Sequence, residues 1–237
     1  MLVTEYMADL VERKLSPSSI HLILTAIRKL AREAADNQLL EESVASAISR
    51  VRGPKILGQR TGNWLALEQA KELIQAADSS RDRAILALLI SCGLRRTELI
   101  SLRIDQFVER EGRKVIIDLK GKGGRLRTVP VPAESWRILS LYLSATADLR
   151  DRLFPLSTNA IWKIFTKYSK KIGCPASPHD ARRTCAALCE DAGAPIRDIQ
   201  ELLGHSSVQV TERYLRQRHA IRNAANDRIV WEACPKT

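Results

Sequence analysis

Residues 80–93, SRDRAILALLISCG, give a helix no continuous polar side. Ile85, Leu86, Leu88, Leu89 and Ile90 are spread around the turn, so this helix must be covered on every face. A fold that contains it has to place it at the centre and wrap other elements around it. The rest of the chain supplies suitable wrapping. LALEQAKELIQAAD, STNAIWKIFTKYSKKIG and SPHDARRTCAALCEDAG read as helices, and IRDIQELL repeats apolar residues at helical spacing in Ile196, Ile199, Leu202 and Leu203. The period changes at KVIIDLKGKGGRLRTVPVP, where β-branched residues flank GKGG, the signature of a hairpin. The expected architecture is mainly α with a small antiparallel β-hairpin or sheet.

The N-terminal segment, 1–52, reads as a separate helical unit. Ser16-Pro17 makes a cap and first-turn pair, and Ile20, Leu24, Ile27, Leu30 and Ala34 follow at helical spacing. Arg28, Lys29 and Arg32 lie elsewhere on that helix. The stretch RGPKILGQRTGN is rich in glycine and basic side chains and reads as a linker that can follow a phosphate backbone. The expected division is 1–52 as a helical domain, 53–63 as linker and 64–237 as the larger domain.

Charge narrows the partner. Lys and Arg total 38 against 27 Asp and Glu, a net charge of +11, which favours a polyanion. No apolar run approaches the length of a membrane span, and no apolar segment near the start reads as a secretory signal. The five cysteines, Cys92, Cys174, Cys185, Cys189 and Cys234, form no CxxC, which suggests reduced thiols in a cytoplasm. Cys185 and Cys189 are four apart on one helix, a spacing that suits core packing.

Four short pieces could carry chemistry. CGLRRTELISLR puts Arg95 just after a glycine turn at a helix start, with Glu98 three residues on. A guanidinium there opposes the helix dipole, so it either pairs locally with Glu98 or holds an anion. GKGGRLRT puts Lys122 at a hairpin tip, either solvated or able to reach a partner and give up a proton. SPHDARRTC puts His179 and Arg182 on one helical face, a phosphate clamp beside a proton carrier. In ELLGHSSVQVTERYLR, Gly204 suits the end of a helix, Ser206 or Ser207 can cap the next, and His205 precedes Tyr214 by nine residues. Taken alone that piece is a surface histidine and a half-buried tyrosine.

Taken in order, GLRRTE, KGKGG, HDAR, LLGH and Tyr214 resemble the tyrosine recombinase (phage integrase) family. The likeness spans about residues 62–220 strongly and the N-terminal helices more loosely. Arg183 stands where many members carry a second histidine, and TCAA replaces the commoner TFAT.

The resemblance implies a recombinase catalytic-domain-like fold with a short helical N-terminal domain: 1–52 as a partial helical core-DNA-binding domain, 53–63 as linker and 64–237 as the catalytic domain. It also implies roles. Tyr214 attacks a DNA phosphodiester; Arg95 and Arg182 hold the non-bridging oxygens; His205 donates to the phosphate; His179 assists proton transfer; Lys122 protonates the leaving oxygen; and Glu98 orients a neighbour. No metal and no ATP are required. The basic residues assigned to DNA are Arg28, Lys29, Arg32, Lys55, Arg60, Arg96, Arg125 and Arg183. The partner is a double-stranded recombination site, with a homotetramer on two sites and a monomer or weak dimer when free. The element served is mobile DNA and the compartment the cytoplasm. Alternatives are a type IB topoisomerase-like enzyme and a catalytically silent DNA-binding regulator on the same fold. The tail HAIRNAANDRIVWEACPKT, with Ala220, Ala224, Ile229, Val230 and Trp231 on an apolar side, either joins its own core or docks on a neighbouring protomer.

Overall fold

The computed structural model describes residues 2–55, 63–121, 124–146, 152–205, 207–209, 211, 212 and 215. The expectations for Lys122, Tyr214, Arg60, Ser206, Cys234, the tail and most of the linker lie outside these residues. The chain divides into two compact units, Met1–Arg60 and Thr61–Thr237.

The first unit holds α1 (Leu2–Glu12), α2 (Pro17–Asp36) and α3 (Glu42–Arg50). Ser16 caps α2 by accepting from the Ser19 N–H at 3.1 Å, with Pro17 in the first turn. Met7, Leu10, Ile20 and Leu24 form the core. The apolar stripe on α2 differs from the expected one in one place: Leu30 is 71% exposed and Ala31 is buried. At about 100° per residue, Ile20, Leu24, Ile27 and Ala31 fall within a narrow arc, and Leu30 points well off it. The chain after α3 is tied back to α2. Arg28 donates to the Val51 carbonyl, and His21 Nε2 donates to the Pro54 carbonyl at 2.8 Å.

The second unit is built around α5 (Ser80–Ser91), in which every residue from Ala84 to Ile90 is buried. The all-round apolar sequence is matched by all-round packing: α4 (Leu67–Gln75), α7 (Ala133–Ser144), α8 (Thr158–Lys171) and α9 (Pro178–Asp191) all contact it. α6 (Arg96–Ser101) follows α5 after a tight turn, and α10 (Ile196–Leu203) packs on α9. The sheet has three strands, β1 (Phe107–Arg110), β2 (Arg113–Lys120) and β3 (Leu126–Pro130), antiparallel in that order. Phe107 faces Ile116, and Ile116 faces Val129. The sequence pattern shows the β2–β3 hairpin plainly and β1 hardly at all. β1 is short and reverses into β2 through Glu111 and Gly112, both with positive φ. Cys185 is buried and Cys189 packs beside it, as their spacing suggested.

Candidate active site

The site begins where α5 ends. Gly93 has a positive, left-handed φ, and a Cβ there would collide with a Leu203 methyl, so the turn needs glycine on both counts. It delivers Arg95 to the cap position of α6. Glu98, one turn on and only 2% exposed, accepts from the Arg95 backbone N–H at 2.7 Å and from Arg95 Nη1 at 2.7 Å. The local pairing of Arg95 with Glu98 is therefore real, and it does not consume the arginine: one guanidinium nitrogen goes to the carboxylate, and the side chain stays about a third exposed.

α9 supplies the next two groups. Asp180 accepts from the backbone N–H of Ser177 at 2.9 Å and from the Ser177 hydroxyl at 2.7 Å. Pro178 fills the first turn. This fixes the helix start and so the direction of His179 and Arg182. His179 lies exposed at the rim. Arg182 is 2% exposed and reaches across the interior, donating Nη1 to the Gly93 carbonyl at 2.6 Å and Nη2 to the Leu203 carbonyl. One side chain thus fastens the turn before Arg95 to the end of α10.

α10 ends at Gly204, whose backbone lies in the left-handed region, the C-cap its sequence calls for. His205 follows. Its backbone N–H donates to the Gln200 carbonyl at 3.1 Å, and Gln200 Nε2 donates back to the His205 carbonyl at 3.2 Å. Its Nδ1 is hydrogen-bonded to Thr211 Oγ1 at 2.8 Å, and Thr211 is fully buried. The backbone is therefore held by Gln200 and the ring by Thr211. Leu215 packs with Cys185, Ile199 and Leu203, so the segment after His205 returns to the same core.

Sequence reasoning missed Arg127 on β3. Its Nη1 and Nη2 donate to the two Glu98 oxygens at 2.8 and 3.0 Å, and its Nε donates to the Leu202 carbonyl at 3.1 Å. A signal was available. Arg127, Val129 and Val131 alternate along one strand face, and both valines are buried, so Arg127 is a charge on an apolar face and needs a buried partner. Lys122 itself is not described, but the residue before it is. A Cβ on Gly121 would lie 3.4 Å from Arg127 Nη1 and 3.8 Å from Arg95 Nη1, so the hairpin shoulder comes to this cluster.

The electrostatics agree with this convergence. Burial raises the Glu98 pKa, but hydrogen bonds from Arg127 and Arg95 outweigh that and hold it below the usual carboxylate range. His205 is pushed down to about 4, first by burial and then by the charges of Arg182, Arg95 and Arg127, with His179 adding to them. His179 is lowered by loss of water around its ring and by Arg183, Arg182 and Arg95, against Asp180. Both imidazoles are therefore biased towards the neutral form, in which one ring nitrogen can accept a proton and the other donate a hydrogen bond. Three guanidiniums share the site with one carboxylate, which leaves it suited to a phosphate.

The depressed His205 pKa fixes a stability prediction. Its folded value, about 4, is below the unfolded value of 6.5, so the unfolded chain binds the extra proton between them. This contribution is complete above pH 6.5 and is lost as pH falls towards 4, by at most about 3 kcal/mol. In unfolding measured from pH 7 to 4, His205→Gln is expected to show a shallower acid loss than the native chain. Parallel curves would refute the assignment.

The assigned DNA contacts are more scattered. Lys29, Arg32 and Lys55 are exposed in the first unit, whereas Arg28 is half-buried and bound to Val51. In the second unit, Arg96 and Arg125 are exposed and Arg183 pairs with Asp180 at 3.2 Å.

The sequence pattern of the Phage integrase family matches residues 63–220, which contain every element of this site. The chain belongs to the phage integrase family. It is a tyrosine-type site-specific recombinase, an enzyme of DNA strand breaking and rejoining. Among its relatives, tyrosine recombinase XerA of Pyrococcus furiosus is 32% identical over 222 residues, covering 89% of this chain and 74% of that protein. Tyrosine recombinase XerD of Mycobacterium tuberculosis is 33% identical over 233 residues, covering 88% and 73%. The fold is shared with XerH recombinase bound to palindromic difH substrate in a post-cleavage complex (TM-score 0.76, 19% identity, 95% of this chain and 71% of that one). It is shared too with a lambda integrase dimer bound to a COC′ core site (TM-score 0.71, 19% identity, 99% and 82%). No described helix is long and apolar enough to cross a membrane.

Proposed function

We propose that this recombinase cleaves duplex DNA through a 3′-phosphotyrosyl intermediate on Tyr214, with the roles distributed as follows. Arg95 and Arg182 hold the non-bridging oxygens of the scissile phosphate, where negative charge grows in the transition state. His205, neutral and braced by Thr211, donates a further hydrogen bond. His179, neutral at the rim, takes the phenol proton as the tyrosine oxygen bonds to phosphorus. The bond to the 5′-oxygen breaks, and Lys122 supplies the proton that makes it a hydroxyl. Rejoining is the same step reversed, so the phosphate bond energy is conserved and no ATP enters. Attack by a 5′-hydroxyl from a second duplex exchanges the strands.

The observation that carries this reading is the Arg182 staple: a buried guanidinium bound to Gly93 and Leu203 draws the Arg95 turn, α9 and the His205 corner into one place. On the same reading, 1–52 helps to grip the duplex, 53–63 follows its backbone and 64–237 carries the chemistry. Arg28, Lys29, Arg32, Lys55, Arg60, Arg96, Arg125 and Arg183 belong to the DNA contact. Four protomers assemble on two sites, with the C-terminal tail exchanged between neighbours. The substrate is mobile-element DNA in the cytoplasm.

The test is direct. The chain is incubated with duplexes carrying a randomised core and scattered nicks, and protein–DNA adducts are recovered under denaturing conditions and sequenced. Expected are adducts at a defined sequence, removed by protease, and strand transfer between two copies of that sequence. Adducts that only reseal their own ends would make the enzyme a topoisomerase. No adduct at all would overturn the proposal.

A further inference from the structure

We propose that Arg127 is a positioning residue for cleavage: by occupying the Glu98 carboxylate from the hairpin strand, it keeps Arg95 available to the DNA phosphate. The inference deepens the reading above and rests on it. The geometry is specific. Glu98 Oε1 receives Arg95 Nη1 and Arg127 Nη1, and Oε2 receives the Arg95 backbone N–H and Arg127 Nη2. Arg127 thus holds the forked, two-oxygen grip, and Arg95 shares one edge. A carboxylate this deeply buried seeks a forked partner. With Arg127 gone, the nearest guanidinium able to take that grip is Arg95, whose backbone is already bound to the same carboxylate. Arg95 then turns inward, and its charge is cancelled by Glu98 instead of being offered to the phosphate.

Two further contacts make Arg127 more than a counter-ion. Its Nε is bound to the Leu202 carbonyl, at the end of the helix that leads to His205. Its side chain also lies across Gly204, where an added Cβ would come within 2.9 Å of Arg127 Cδ. Lys122 precedes it on the same hairpin, and Gly121 approaches both guanidiniums. The β2–β3 hairpin, the carboxylate under Arg95 and the corner that presents His205 are joined by one side chain. Arg127 commits Nε, Nη1 and Nη2 to Leu202 and Glu98, so it acts through those neighbours.

The experiment uses the full chain and the duplex recovered by adduct selection. Single-turnover adduct formation and DNA affinity are measured for the native chain, Arg127→Met, Glu98→Gln and the double variant, with circular dichroism confirming the fold at the assay temperature. Arg127→Met is expected to slow adduct formation on the order of tenfold to a hundredfold, with affinity within about threefold. Adding Glu98→Gln is expected to restore part of that loss, because a neutral amide no longer captures Arg95. A residue that merely supports the fold gives the opposite, additive losses. Where Arg127→Met fails to fold, Arg127→Lys serves, with the same suppression by Glu98→Gln. A normal rate in folded Arg127→Met or Arg127→Lys, or additive losses in the double variant, overturns this proposal alone. Failure of the native chain to form any adduct overturns the recombinase mechanism and this proposal with it.

Discussion

Tyr214→Phe is expected to form no covalent DNA adduct while binding the same duplex with affinity within about twofold of the native chain. The substitution removes one oxygen, the atom proposed to bond to phosphorus, and keeps the ring. The expected loss is therefore essentially complete, with no residual cleavage above background. Tyr142 and Tyr168 of the same unit cannot substitute: Tyr142 is buried and its hydroxyl donates to the Leu153 carbonyl at 3.2 Å, and Tyr168 is buried with its hydroxyl 3.0 Å from Asp82. Tyr214 follows Thr211, which braces His205, and precedes Leu215, which packs against the α9–α10 core. Adduct formation and affinity are read from the same titration, by denaturing gels and by anisotropy. An adduct that persists in Tyr214→Phe assigns the nucleophile elsewhere.

What the sequence made legible follows from the range over which each signal acts. α5 could be read as central because its apolar residues leave no face for water, a local property with a global consequence. The end of α10 could be read from Gly204, since a left-handed residue at a helix end strongly favours glycine. Arg95, Glu98, His179, Arg182 and His205 could be named because each sits at a fixed offset within one short segment. Their convergence was implied only by the resemblance to the recombinase family. It depends on Arg182 spanning from α9 to Gly93 and Leu203, contacts separated by 89 and 21 residues, and local spacing carries no trace of that.

Arg127 shows the other kind of loss. Its strand alternation was visible, but a single basic residue in a basic hairpin looks like one more DNA contact until Glu98 is seen beneath it. Leu30 was misplaced for the converse reason: spacing of three or four admits two neighbouring stripes on a helix, and the packing of α1 and α3 against α2 selects between them. β1 was obscured by its length, because so short a strand gives alternation too little room to register.

The buried staple also sets the second large effect. Arg182→Ala is expected to lower single-turnover cleavage by about a hundredfold to a thousandfold, the scale seen when one preorganised donor to a growing oxyanion is lost. It is also expected to cost stability, because the Gly93 and Leu203 carbonyls lose buried donors, at roughly 1–3 kcal/mol for each unsatisfied group. Rate alone therefore cannot separate chemistry from support, and two further variants do. Arg182→Lys keeps the charge and can satisfy one carbonyl, so it recovers part of the stability; it lacks the planar fork, so it recovers little of the cleavage. Arg95→Ala removes a side chain that is about a third exposed and bonds no main-chain carbonyl among the described residues, so it loses cleavage on a similar scale with a smaller thermal cost. Thermal unfolding, DNA affinity and adduct formation are measured on the same preparations. If all three variants lose affinity in proportion to rate, the arginines bind ground-state phosphate and transition state alike, and neither serves the chemical step.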